Sequence, residues 1–293
     1  MIKEGGPLSF SRFMELALYH EDFGYYTDPS RTRVGKTGDF ATSVSVGPAY
    51  GRLLSLRIRQ VWEAHGNPQV FSVLELGPED GSLALDILKA SHQQDAAFHQ
   101  ALHYTACEPG ARKRATLATR FAATGEPNLR VVAAPEEAKA ERGIILGNEV
   151  LDALPVHLIR WSGGSWQEMS VGLEDEKLAW TMSPCSEGPL SDHLTKLPVD
   201  LPEGYTTEVC LNLFPLMEEL AATFEDAVVL LVDYGFERSE YYHPDRCEGT
   251  LQTYARHQVG KDPLEAPGEC DLSTHLDFTH VGEAAQAAGL TSL

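Results

Sequence analysis

Phe71-Ser72-Val73-Leu74-Glu75-Leu76-Gly77-Pro78-Glu79-Asp80-Gly81-Ser82-Leu83 sets the architecture of this chain. An apolar run closes on an acidic residue, turns through two glycines and enters an amphipathic segment carrying Leu83, Ile87 and Leu88. That order reads as strand, tight loop and helix. Glycines let backbone approach a ligand closely, and the unpaired N–H groups of a new helix can cradle a polar or anionic group. The next strand-like run, His103-Tyr104-Thr105-Ala106-Cys107, ends at Glu108. A carboxylate at the tip of the second strand is placed to accept hydrogen bonds from ribose hydroxyls. Together the two runs predict a nucleoside-bearing cofactor across the carboxyl ends of a parallel sheet. The loop alone fits an ordinary glycine turn equally well. It reads Gly77-x-x-x-Gly81 rather than the Gly-x-Gly-x-x-Gly of dinucleotide sites.

Working outward, residues 111–122 read as a helix, Leu129-Arg130-Val131-Val132 as a third strand and Gly143-Ile144-Ile145-Leu146-Gly147 as a fourth. Strands alternating with helical patterns predict an α/β fold with a mostly parallel, doubly wound sheet. The fourth strand runs into Asn148-Glu149-Val150-Leu151-Asp152-Ala153-Leu154-Pro155, bringing an amide and two carboxylates to the edge where open α/β folds bind ligands. Ala227 to Asp233 is the most apolar strand-like run and is expected at the centre of the sheet. Between residues 156 and 210 the period changes to short alternating pieces separated by Gly163-Gly164 and Glu174-Asp175-Glu176. This predicts a small antiparallel β insertion, a lid or dimer element, with the acid run as a solvated hairpin tip.

Upstream, Ser9 caps a helix carrying Phe10, Phe13, Met14, Ala17 and Leu18. A loop rich in glycine and aromatic residues follows, and Pro48 opens a second helix with Tyr50, Leu53, Leu54, Ile58, Val61 and Trp62 on one face. The expected organisation is a single domain over residues 1–293. It comprises an N-terminal helical and lid segment (1–66), a Rossmann-like core (67–155 and 211–293) and the β insertion (156–210).

A net charge of −20, from 23 basic and 43 acidic residues, repels phosphate backbones and argues against nucleic acid as a partner. It is compatible with a protein substrate bearing an accessible basic side chain. Five widely spaced cysteines without a Cys-x-x-Cys fit a reducing compartment, and the expected location is cytoplasmic. No apolar run approaches membrane-span length, and no histidine pair has metal-ligand spacing beside an acid, so neither a membrane nor a metal is expected.

Several stretches resemble the MidA family of S-adenosylmethionine-dependent methyltransferases, whose mitochondrial members are complex I assembly factors. They are Gly6-Pro7-Leu8-Ser9-Phe10, Phe23-Gly24-Tyr25-Tyr26, Gly38-Asp39-Phe40, Glu75-Leu76-Gly77-Pro78, Asn148-Glu149 with Asp152-Ala153-Leu154-Pro155-Val156, Asp233-Tyr234-Gly235, Gly249-Thr250-Leu251 and Asp262-Pro263-Leu264, in order along the chain. The resemblance implies a class I methyltransferase fold with a seven-stranded sheet, S-adenosylmethionine as cofactor and methylation of a protein arginine. It places Gly77, Pro78 and Gly81 against the methionine part of the cofactor, Glu108 on its ribose and Gly38-Asp39-Phe40 in a closing loop. Asn148 and Glu149 would then face the methyl acceptor. Methyl transfer is an in-line displacement in which alignment supplies much of the acceleration. Two carboxylates could orient a guanidinium and take its proton, and Glu149 and Asp152 are the candidates.

Two departures bear on activity. Glu79 stands where the family carries glycine, bringing a Cβ and a negative charge to the loop. Thr42-Ser43-Val44-Ser45-Val46-Gly47 lacks the family's proline and acid after Gly-Asp-Phe. Two other functions therefore stay open: a methyltransferase-fold binding or assembly factor without turnover, and a methyltransferase for a small or carrier-bound metabolite.

Overall fold

The computed structural model describes residues 2–28, 47–197, 201–255, 258–260 and 262–293. The chain divides into two compact units. One comprises Tyr26–Val150 with Glu218–Val232, the other Met1–Tyr25, Leu151–Met217 and Asp233–Leu293.

The first unit is built on five strands: β1 (Phe71–Leu76), β2 (Leu102–Cys107), β3 (Leu129–Val132), β4 (Ala140–Asn148) and β5 (Phe224–Val232). Their order is β5-β4-β1-β2-β3, and every neighbouring pair is parallel. Helices α1 (Ala49–Ala64), α2 (Ser82–Gln94) and α3 (Ala111–Ala122) belong to the same unit. Its core joins Ile58 and Trp62 of α1, Phe71 and Val73 of β1, Ile87 of α2, Phe98, Tyr104 and Ile144. Each fully buried aliphatic or aromatic side chain of this kind contributes roughly 1.5–3 kcal/mol. From β1 the sheet grows one way through β2 and β3 and the other way through β4 and β5. The order therefore reverses between β1 and β4, and ligands of such sheets bind beyond the carboxyl ends at that point.

Three expectations need correction. The apolar run 227–233 forms β5, which lies at the edge of the five described strands rather than at their centre. Hydropathy reports that both faces are covered, whereas lateral position is set by connectivity. Five parallel strands stand where the family resemblance implies a seven-stranded sheet. Leu53 is 64% exposed, because it is turned about 100° from Leu54, whose stripe with Ile58, Val61 and Trp62 meets the core.

In the second unit, His157–Ser162, Ser165–Glu174, Lys177–Pro184 and Thr206–Val209 form an antiparallel sheet, as the alternating pattern predicts. The Gly163-Gly164 and Asp175-Glu176 turns take positive φ at both positions, the geometry that two-residue hairpins require. Leu8–Ser9 adds a short strand against Ser170 and Val171, a pairing too brief to show a period in the sequence. Ser9 then caps the helix Phe10–Tyr19, its hydroxyl accepting the Arg12 N–H at 3.2 Å. The buried carboxylate of Glu208 accepts the N–H groups of Thr250 and Leu251 and the hydroxyls of Thr250 and Tyr241. Among the described residues no helix is long and apolar enough to cross a membrane.

Candidate functional site

The turn leaving β1 is held from several directions. Gly77 has φ +59, and a Cβ there would lie 2.9 Å from Val150 Cγ1. Gly81 has φ +80, and its Cβ would meet the Phe121 ring at 2.5 Å, so packing against α3 demands glycine as firmly as the backbone does. Pro78 O accepts the Gly81 N–H at 2.6 Å. Asp80 accepts the Ser82 N–H at 2.9 Å and hydroxyl at 2.8 Å, and binds Arg120 of α3 at 2.7 Å. Burial acts against the Asp80 carboxylate, but Arg120 and Ser82 outweigh it and hold its pKa below the ordinary range.

Beneath this turn lies a second acid. Glu75 is buried in β1, and the Tyr104 hydroxyl on β2 donates to its Oε2 at 3.0 Å. Burial pushes the Glu75 carboxyl up to about 7, with Tyr104 opposing and the charge of Asp80 adding to the rise.

Glu108 follows β2 and is buried. Its Oε1 accepts the Gly110 N–H at 2.7 Å, and its Oε2 lies 3.1 Å from Lys113 Nζ. Arg114 donates to the carbonyls of Glu108 at 2.9 Å and Pro109 at 2.7 Å, fixing the turn into α3. A carboxylate offers about four lone-pair sites, so one on each oxygen remains for a pair of vicinal hydroxyls. The acceptor arrangement therefore fits the ribose hydroxyls of S-adenosylmethionine. Glu79 has φ +47, and its carboxylate is 3.4 Å from the same Lys113 nitrogen. The side chain that threatened to fill the loop is engaged by α3.

Across the reversal point, Asn148 ends β4, and its Oδ1 accepts the Tyr50 hydroxyl at 2.5 Å. Glu149 is held at φ +51, a strained backbone for a residue with a side chain. Its N–H donates to Val232 O at 2.8 Å and prolongs the pairing of β4 with β5. Burial and then the charge of Glu149 raise the pKa of Tyr50.

Of the residues singled out in the sequence, Gly77, Pro78, Gly81, Glu108, Asn148 and Glu149 all belong to the parallel-sheet unit and stand at the carboxyl ends of its strands. Asp152 belongs to the other unit. There its Oδ2 accepts the Ser273 hydroxyl at 2.9 Å and its carbonyl the Thr274 N–H at 3.0 Å, while its own N–H donates to Asp233 Oδ2 at 3.3 Å. Gly38, Asp39 and Phe40 lie outside the described residues. Sequence reasoning missed Lys113, which shares the buried stripe of α3 with Leu117 and Phe121. It also read Tyr50 only as a core residue. A cation on an otherwise apolar stripe just after Glu108 was the available signal.

Known proteins resemble this chain along nearly its whole length. Relatives include the mitochondrial protein arginine methyltransferase NDUFAF7 homolog of Drosophila melanogaster, 27% identical over 97% of this chain and 68% of the relative. The human protein arginine methyltransferase NDUFAF7 is 26% identical over 97% of this chain and 67% of its own length. A superfamily member from Burkholderia thailandensis, crystallised with S-adenosyl-homocysteine, superposes with a TM-score of 0.85 at 31% identity, covering 98% of this chain and 73% of that one. The fold is thus the class I, Rossmann-like methyltransferase architecture expected from the resemblance, and S-adenosylmethionine is its cofactor. Residues 53–293 match the family described as S-adenosyl-L-methionine-dependent methyltransferases, and the chain belongs to that family.

Proposed function

We propose that the protein methylates an arginine side chain of a protein substrate, with the cofactor at the carboxyl ends of β1 and β2 and the acceptor before Glu149. The observation that carries this reading is Glu149 itself, a carboxylate held on strained backbone where the strand order reverses. The relatives named as protein arginine methyltransferases support the choice of acceptor.

When bound, S-adenosylmethionine supplies an electrophilic methyl group on a sulfonium. The chain's own contribution is alignment and proton handling. Glu108 would accept the ribose hydroxyls, and the Gly77–Gly81 turn would hold the methionine end. Glu149 accepts a guanidinium N–H, aims the nitrogen and takes its proton. Tyr50 braces Asn148 beside it. The five cysteines, widely spaced and without a Cys-x-x-Cys, support a reducing compartment such as the cytoplasm.

The test is transfer of radiolabelled methyl from S-adenosylmethionine to arginine-rich protein substrates, read as methylarginine after acid hydrolysis. Wild type should yield methylarginine. Glu149→Gln should lose at least about a hundredfold in turnover while binding S-adenosyl-homocysteine normally, given the usual contribution of a positioned base. Full turnover in Glu149→Gln would remove this residue from the chemistry. Absence of S-adenosyl-homocysteine binding by wild type would favour a binding or assembly factor.

A further inference from the structure

Lys113 lies in the first turn of α3, on the stripe that continues through Leu117 and Phe121 into the core. Its side chain is 9% exposed. An ammonium so far out of water needs compensating charge, and this one has two carboxylates. Glu108 Oε2 is 3.1 Å from the nitrogen and Glu79 Oε1 is 3.4 Å away. These two carboxylate oxygens are therefore within about 7 Å of each other, one on either side of the same ammonium, close enough for like charges to repel. The Tyr26 ring centroid is 6.0 Å from the same nitrogen. One of these acids is the proposed ribose ligand, and the other stands in the turn at φ +47, a backbone that favours glycine.

We infer that Lys113 is a positioning residue of the cofactor site: its ammonium cancels the charge that Glu79 adds to the turn and holds Glu108 with its remaining lone pairs open to the ribose diol. The inference rests on the cofactor reading above. It explains how the turn accommodates a carboxylate at Glu79. The countercharge comes from a helix 34 residues further along the chain, and the pair must be considered together. Lys113 acts through Glu108 and Glu79 and has no part in the methyl transfer itself.

Calorimetric titration of the full chain with S-adenosyl-homocysteine tests this. Lys113→Met should weaken binding about tenfold or more, since the buried Glu108 loses the ammonium that holds it and faces the charge of Glu79 across the gap. Lys113→Arg should bind within about threefold of wild type, as the charge is kept. Glu79→Gln should also stay within about threefold, and Lys113→Met combined with Glu79→Gln should recover part of the loss, a coupling that a purely structural role would not produce. In turnover, Lys113→Met should raise KM for S-adenosylmethionine and leave kcat unchanged. Wild-type affinity in Lys113→Met, or a double variant as weak as the single, would overturn the inference. If Lys113→Met fails to fold, a tenfold loss in Lys113→Arg or Glu79→Gln would overturn it instead. Lack of binding by wild type would defeat the cofactor reading itself, an outcome distinct from failure of the Lys113 role.

Discussion

Replacing Glu75 by glutamine should remove a pH dependence that the fold carries at the root of the Gly77–Gly81 turn. Glu75 is 3% exposed, and burial raises its carboxyl from 4.5 to about 7, against the hydrogen bond from Tyr104. A raised acid holds its proton more tightly in the folded chain than in the unfolded one. Between pH 4.5 and about 7 folding therefore takes up a proton, and stability falls as pH rises through that window. At about 1.4 kcal/mol per pKa unit, the complete swing for this buried group is about 3 kcal/mol. Glu75→Gln keeps an oxygen to accept the Tyr104 hydroxyl and cannot ionise. The variant should match wild type near pH 4.5 and exceed it by about 2–3 kcal/mol at pH 8, a sizeable share of a domain's usual 5–15 kcal/mol. Urea unfolding followed by far-UV circular dichroism, at half-unit pH steps for both proteins, measures the difference directly. Other carboxylates cancel in that difference, so stability curves that stay parallel across the range would refute the reasoning.

Gly81→Ala should cost about 2–4 kcal/mol, combining left-handed backbone strain with overlap against Phe121, and urea titration should show it together with weaker S-adenosyl-homocysteine binding. Asp152→Ala should lower stability by about 1 kcal/mol through loss of its bond to Ser273 and leave methyl transfer within about threefold of wild type. Loss of turnover at unchanged stability would instead return Asp152 to the acceptor site.

Much of the parallel-sheet unit could be read in the chain because its signals are local. The run 71–83 gives strand, turn and helix in thirteen residues, and Glu108 announces itself as an acid closing an apolar strand. The hairpins of the second unit were legible for the same reason, through Gly163-Gly164 and the polar tip at Asp175-Glu176. What escaped depends on contacts between distant segments. The edge placement of β5 follows from connectivity, which hydropathy does not encode. Lys113 gains its meaning only when α3 lies beside the turn that contains Glu79. The carboxylate of Asp152, named with Glu149 as a candidate for the acceptor, accepts a hydrogen bond from Ser273, 121 residues further on.

Helix α3 touches the cofactor turn along most of its length. Lys113 near its start binds Glu79, Phe121 near its end fills the space left by Gly81, and Arg120 holds both the carboxylate and the backbone carbonyl of Asp80. The turn and the helix are thus one splinted part, although about thirty residues separate them in the chain. A designer who transplants a glycine-rich turn from a relative into this scaffold will have to transplant the matching faces of α3 with it. The five residues from Gly77 to Gly81, moved alone, would arrive without their brace.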